Sequence, residues 1–599
     1  MSAFIVSAII RNITSIVRYL LMAAPVKSCY NTSVGEFLFE DDPVFSGKEH
    51  EAFLKCCEPL SVMRACVNAA ASDSLVTELA AFARKQYNYK VYGDEDVQEN
   101  NKGAGRYPIR MLITILILKE HLHLSFPETA ERALYDLRFR YALGIEAIHK
   151  PVPGMSTIKH FSGMVTAFNE HKTEELGKKY SICNEMIANL AESTIKYFDK
   201  HNYTATVRLD STLVGSNISS QSRVEIVTSV LQSYIGKLQF EEICKLSIYG
   251  TDDWDLIQKV FKIGGQRITY EIEGAGKAVM PWLGFCFDSI VKDVEAKTVK
   301  ETPEYLILER VFYEQFAPDK DGVLSPKPGK DISPDSLQNQ NDPDASFRKK
   351  YATPVRGESV NIAEIVGKHE TVTDENGNKV KIQKAPHVIT SVDVRTATAD
   401  DTEFLDPSAD AAIKIANACG HEVDTIEGDG GYSGIDQRKN MEDKGLTLVT
   451  TELKGKEAAF IYSLQEDGTV LVTDRSNTDI TYTAVPVNTR DGSKKWKFTT
   501  TDENGKEKTH TITERNLEIQ KIRELQKDIP AETKKLRNNV EASVRELKRG
   551  TYNGKVRYCG IIRILFSMSA KAVGIQTRRI FNFCKRYRID LSELCQNWK

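Results

Sequence analysis

Three acids in this chain, Asp210, Asp429 and Glu541, have neighbours that suit them to metal chemistry. Glu541 follows Lys534-Lys535-Leu536-Arg537-Asn538-Asn539-Val540, and residues 534–588 carry 15 Lys and Arg against two acids, Glu541 and Glu546. A carboxylate in so basic a stretch is either a salt-bridge partner or a metal ligand beside bound phosphate. At about 100° per residue, Leu536, Val540, Val544 and Leu547 form one apolar stripe that must face a core. Arg537, Glu541 and Lys548 fall on its shoulder, whereas Glu546 points to the opposite, solvated side. Taken alone, Glu541 reads as an i,i+4 partner of Arg537, worth about 0.2–0.5 kcal/mol.

The elements upstream change that balance. Thr204 to Leu209 is β-rich and runs into Asp210-Ser211-Thr212, a strand ending on an aspartate. Glu422 to Ile426 is a second strand, running into Glu427-Gly428-Asp429-Gly430-Gly431-Tyr432. Glycine there permits a sharp turn and leaves the carboxylate unobstructed. Between them lie two strands, 359–366 and 387–394, and a helix beginning at Asp406-Pro407. A short strand at 446–449 follows, and the last helix, from about Glu514, carries through Glu541. Asp210 and Asp429 can then lie on adjacent strands, with Glu541 brought over them. Three converging acids repel one another unless they bind cations. Oxygen-only ligands select Mg²⁺ or Mn²⁺. Two such ions, about 3.5–4 Å apart, activate an attacking oxygen and stabilise the leaving one in phosphodiester chemistry.

Three motifs carry a resemblance. They are Leu209-Asp210-Ser211-Thr212 followed by Ser216-Asn217-Ile218, then Gly428-Asp429-Gly430-Gly431-Tyr432, then Arg537-x-x-x-Glu541 with Lys548 seven residues on. With them the chain resembles the DDE transposases of bacterial insertion sequences, which have a ribonuclease-H-like catalytic core. The third motif is similar to the Tyr-Arg-Glu-Lys signature of one such group, with Lys534 standing where that signature has Tyr. Asn341-Asp342-Pro343-Asp344-Ala345 and Phe347-Arg348-Lys349-Lys350 resemble the family's connecting loop. Ser125-Phe126-Pro127-Glu128 and Pro153-Gly154-Met155-Ser156-Thr157 resemble its amino-terminal domain.

The resemblance implies an α/β fold. It implies a ribonuclease-H-like mixed-sheet core and an N-terminal helical domain, to which the chain's own periodicity and turn residues add a helical insertion and a small antiparallel β insertion. It also implies a transposase: metal-dependent cleavage at terminal inverted repeats, then strand transfer into target DNA. Asp210, Asp429 and Glu541 would hold two Mg²⁺ or Mn²⁺ ions. Arg537 and Lys548, with Arg545 and Arg549 around them, would contact DNA phosphates. The implied partners are double-stranded DNA, at transposon ends and target, and further copies of the chain, as a homodimer or larger assembly on paired ends. A metal-dependent nuclease without strand transfer, and a catalytically silent DNA-binding derivative, are the alternative readings.

Composition sets the frame for these sites. At 599 residues the chain exceeds a single hydrophobic core. Hydrophobic content of 41%, charged content of 27% and a net charge of −3 are ordinary for a soluble protein, so the basic character is local. Eleven scattered cysteines with no Cys-x-x-Cys argue against a zinc ribbon or a disulfide framework and fit a reducing cytoplasm; the resemblance implies a bacterial one, with the protein associated with the nucleoid. Phe4 to Ala24 is apolar but broken by Arg11, Asn12 and Arg18, which favours an amphipathic helix over a membrane span. The expected organisation is an extension at 1–48, a helical DNA-binding domain at 49–200 and the first part of the core at 201–450. That part contains the helical insertion at about 216–317. A β-rich insertion at 451–513 and the final helices with the basic region at 514–599 complete the chain. Trp496, in Lys494-Lys495-Trp496-Lys497, is a candidate for stacking on an unpaired or flipped base. Packing on one face of a small sheet is the more common use of a strand tryptophan and is the preferred reading.

Overall fold

The computed structural model describes residues 30–31, 60–92, 107–145, 150–235, 275–293, 302–350, 353–373, 377–450, 457–487, 494–501, 506–528 and 540–598. Over these residues the chain is mixed α/β, with several sheets and 16 α-helices. The expected amphipathic helix at Phe4 to Ala24 lies outside the described residues.

Seven helices come first: α1 (Leu60–Ala70), α2 (Asp73–Tyr92), α3 (Ile109–His121), α4 (Phe126–Tyr135), α5 (Leu137–Ala142), α6 (Met155–Leu176) and α7 (Ile182–Tyr197). The apolar run of α3 is buried along nearly its whole length. A helix apolar on all sides must be enclosed by others. Ser125 starts α4 with a reciprocal cap: its hydroxyl accepts from the Glu128 N–H, and the Glu128 carboxylate accepts from the Ser125 N–H.

The central sheet follows: β1 (Tyr203–Gly215), β2 (Thr353–Gly367), β3 (Val388–Thr396), β4 (Thr425–Gly428) and β5 (Thr447–Thr450). Its order is β3-β2-β1-β4-β5. Strand β2 is antiparallel to both β1 and β3, whereas β1, β4 and β5 run parallel. A short strand, Ser346–Lys350, extends the sheet by pairing with β2. From Glu358 onward β2 is continuously buried, as expected of a strand covered on both faces.

Between β1 and β2 the chain inserts α8 (Arg223–Ile235), α9 (Ala275–Asp293) and α10 (Pro303–Gln315), which form a separate apolar cluster. After α10 comes a short hairpin, Phe316–Pro318 with Leu324–Pro326. Helices α11 (Leu405–Cys419) and α12 (Ile435–Asp443) connect the parallel strands. Strands β6 (Phe460–Leu464), β7 (Val470–Asp474), β8 (Thr481–Val487), β9 (Lys495–Thr501) and β10 (Glu507–Thr513) build a five-stranded antiparallel sheet in chain order. The last helices are α13 (Glu514–Asp528), α14 (Val540–Leu547), α15 (Ile561–Tyr587) and α16 (Leu591–Asn597). Whether α13 continues into α14 falls on residues outside those described.

Helix α15 joins the two halves. It packs on α3, α7 and β3, and 18 of its residues are buried. The helices expected as a domain of their own at 49–200 therefore share one continuous core with the sheet. The approach is close at Gly574, where an added Cβ would lie 2.4 Å from the His121 ring.

Strand β1 differs from expectation. It continues past Asp210 to Gly215, because Asp210 through Gly215 pair with Ile362 through Gly357 of the long β2. Asp210 is thus inside a strand rather than at its tip.

The loop before β2 seals a buried acid. Glu358 and Asp342 are both fully buried, and neither oxygen of Glu358 has a hydrogen-bond partner. Burial first, then the negative charges of Asp342 and Asp344, push the Glu358 carboxyl up to about 9. Its folded value lies above the ordinary 4.5, so its contribution favours the fold below about pH 4.5 and is lost as pH rises through 9. Each unit of separation corresponds to about 1.4 kcal/mol. Glu358→Gln, neutral throughout, should match the wild type near pH 4 and melt progressively above it toward pH 9. Paired thermal melts across that range check the expectation; a constant difference would contradict it.

Candidate active site

The parallel pairing of β1 and β4 sets the geometry. Arg208 stands opposite Glu427 in the register. Asp210 and Asp429 each lie two residues beyond that rung, on neighbouring chains about 4.8 Å apart in a regular sheet. Both are half-buried. Asp210 Oδ1 accepts from the Ser211 N–H at 2.9 Å. Asp429 ends β4 and caps the 3-10 turn Gly430–Tyr432, its Oδ1 accepting from the Gly431 N–H at 2.7 Å.

A third carboxylate joins them that spacing did not flag. Asp401 opens the 3-10 turn Asp401–Phe404 after β3, and its Oδ1 accepts from the Ser211 hydroxyl at 2.6 Å. Gly431 makes room for it. A Cβ there would lie 2.5 Å from Asp401 Oδ2 and 2.8 Å from Asp429 Oδ1. Those two carboxylates therefore converge on one glycine. In the sequence Asp401 follows Asp400, whose reciprocal cap with Glu403 makes the whole run look like ordinary helix-start chemistry.

Tyr432 forms the floor beneath these acids. Its hydroxyl donates to Asn361 Oδ1 at 2.9 Å, and Asn361 donates in turn to Ser408. Burial, then Asp401, with Asp210 and Asp429 adding to it, hold the phenol well above its ordinary range. The phenol therefore stays protonated and sits within the field of all three aspartates. Gly428 lets this ring pack closely, since a Cβ there would lie 2.7 Å from it.

Glu541 lies in the first turn of α14, exposed. That helix packs on β1 and β2 through Val540, Ser543 and Leu547, with Val544 only half-buried. Among the described residues, no three His, Cys, Asp or Glu side chains stand close enough to hold one metal ion. The fold thus brings Asp210, Asp401 and Asp429 together beside the β1–β4 pair.

The basic residues divide. Arg545 and Arg549 are exposed. Lys548 is half-buried, and burial, then the Lys350 ammonium, lower its pKa. Arg537 lies outside the described residues. Much of the remaining charge is structural. Lys571 is buried and donates to the carbonyls of Leu547 and Arg549, closing the end of α14. Glu546, expected to be solvated, is half-buried and pairs with Arg578 of α15 at 2.5 Å. The helix wheel could not foresee α15 packing along that flank.

Trp496 is corrected as a DNA contact. It is 4% exposed in the core of the five-stranded sheet, and its indole N–H donates to the Gly468 carbonyl at 2.8 Å. Neither ring face is open to a base. Its lysine neighbours alternate outward on the strand, which is what made the segment look exposed.

Residues 59–163 match the family model described as Transposase domain (DUF772). The match supports a transposase-family assignment. It covers helices before β1 and supports a DNA-processing enzyme at that level. No curated protein and no solved structure matches the chain. Among the described residues no helix is long and apolar enough to cross a membrane.

Proposed function

We propose that this chain is a transposase that cuts DNA at the terminal inverted repeats of its element and joins the freed 3′ end to target DNA. The observation that supports this reading is the parallel rung pairing Arg208 with Glu427, two residues before Asp210 and Asp429. The transposase-domain match in the helices before them adds to it. The mixed sheet fits the ribonuclease-H-like core expected from the sequence.

The chemistry of the donors fits Mg²⁺ or Mn²⁺. Asp210, Asp401, Asp429 and Glu541 offer only oxygen, and two carboxylates already converge at Gly431. Mg²⁺ commonly takes one or two carboxylates and completes its shell with water and substrate phosphate, so a closed three-residue cage is not required of the free protein. A bound ion supplies a more acidic attacking water and neutralises charge on the scissile phosphate. The chain's own residues do the rest. Ser211 and the Gly431 N–H orient the aspartates. Arg545 and Arg549, with Arg537 and Lys548, hold phosphates beside the site. Paired ends call for two copies of the chain.

The test is a supercoiled plasmid carrying the short inverted repeats that flank the coding region, incubated with the protein and Mg²⁺. Joined products support the proposal. Nicks alone favour a nuclease, and binding without cutting favours a silent derivative.

A further inference from the structure

The turn that follows α14 carries the most exposed large apolar side chain among the described residues, Tyr552, at 82%. Its backbone is nonetheless tightly held. The Tyr552 N–H donates to the Lys555 carbonyl at 3.1 Å, and the Lys555 N–H donates back to the Tyr552 carbonyl at 3.0 Å. Between them Asn553 and Gly554 have φ of 51° and 75°. Positive φ at both central residues is the tight hairpin turn for which Asn-Gly is the preferred pair. The turn is fastened to the end of β1. The Gly215 N–H donates to the Gly554 carbonyl at 2.9 Å, and the Val556 N–H donates to the Gly215 carbonyl at 2.8 Å. Lys555 Nζ adds a bond to the Ile218 carbonyl at 2.6 Å. A Cβ on Gly554 would meet nothing within 4 Å, so the tip stands in open space.

So exposed a ring adds little to the core. Its neighbours are cations. Arg549 and Arg557 are exposed on either side of the turn, Lys555 is exposed within it, and Lys548 is half-buried beside the Lys350 ammonium. The acids of this region are engaged elsewhere. Glu546 pairs with Arg578, and Glu128, whose field reaches Arg557, is held in its cap with Ser125. An open aromatic face on a rigid support among cations matches unpaired nucleic acid: the cations take phosphates and the ring takes a base. Trp496, enclosed in its own sheet, has no such face to offer. We infer that Tyr552 stacks on an unpaired base of bound DNA, with Arg549 and Arg557 on the flanking phosphates. The inference rests on DNA being the substrate, as proposed above. Strand β1, which anchors the turn, also carries Asp210.

The test uses the full-length protein and two labelled duplexes of mixed sequence, one fully paired and one with a single unpaired 5-iodouracil. Fluorescence anisotropy at low salt reads affinity. Ultraviolet cross-linking followed by mass spectrometry reads the contact. The wild type should bind the unpaired duplex about ten- to a hundred-fold more tightly, the scale of one base stacked on one ring. The cross-link should fall on the peptide containing Tyr552. Tyr552→Ala should lose both the preference and the cross-link, while binding the paired duplex and melting as the wild type does. Tyr552→Phe, which keeps the ring, should retain the preference. Equal binding of the two duplexes by the wild type, or a preference that survives Tyr552→Ala, overturns the inference and leaves DNA binding in place. A surviving preference with a smaller assembly in Tyr552→Ala would give the ring to a second copy of the chain instead. If neither duplex is bound, the proposed function itself has failed and this inference falls with it.

Discussion

Asp429→Asn should lose metal-dependent DNA cleavage by on the order of a thousand-fold or more while the protein remains folded and bound to DNA. The substitution is informative because it separates two duties of one side chain. As a cap, Asp429 needs only an acceptor oxygen for the Gly431 N–H, and asparagine supplies one. As a cation ligand it needs charge, which asparagine lacks. Losing several kcal/mol of transition-state stabilisation corresponds to a rate loss of that size. Cleavage rates at saturating Mg²⁺, beside a filter-binding isotherm and a thermal melt, give the three quantities needed. An unchanged rate would remove Asp429 from the site. A collapsed melt would mean that its negative charge is needed to hold the turn.

The largest effect on stability is expected from Glu364→Gln. Glu364 is fully buried between Arg208 and Arg579. Burial alone would raise its carboxyl, but Arg579 and Arg208 outweigh that and hold it at about 2. Glutamine keeps the volume and removes the charge, leaving two guanidinium groups without their shared partner. Breaking a buried pair in this way costs about 3–5 kcal/mol, because the surviving charge is left uncompensated. The sign with pH is fixed by the depressed value. The wild-type advantage should be complete above about pH 4.5 and shrink as pH falls toward 2. Denaturant titrations of both proteins at pH 7 and pH 3 check it. Equal stabilities at pH 7 would show that the Arg208–Glu364–Arg579 pairing does not hold β1 and β2 to α15.

The strands of the central sheet were legible because their residues leave little choice. Val360, Ile362, Ile365 and Val366 are β-branched and buried, and the Asp429-Gly-Gly run marks the end of β4 with a turn. The end of β1 was not legible, since an aspartate followed by serine and threonine reads as a stop. Only the partner strand β2, far along the chain, supplies the pairing that carries β1 to Gly215. Asp401 was hidden for a similar reason: its neighbours are caps, and the contact that matters, with Ser211, spans 190 positions. The basic C-terminal run illustrates the opposite error. Periodicity showed that α14 had a buried face, but charge alone could not say that Lys571, Arg578 and Arg579 bind the protein itself. A single sequence gives the sign of a patch, whereas tertiary packing decides whether it meets DNA or an internal carbonyl.

The claim on which these expectations depend is that Asp210 within β1 and Asp429 just after β4 hold a divalent cation. Iron-mediated cleavage of the protein backbone tests it most directly, because Fe²⁺ can replace Mg²⁺ at oxygen ligands and cuts the chain where it binds. With Fe²⁺, ascorbate and peroxide, followed by mass spectrometry of the fragments, cuts should fall near residues 210, 401 and 429. Excess Mg²⁺ should suppress them, and Asp210→Asn should abolish them. Cuts confined to other segments, or unaffected by Mg²⁺ and by Asp210→Asn, would contradict the account.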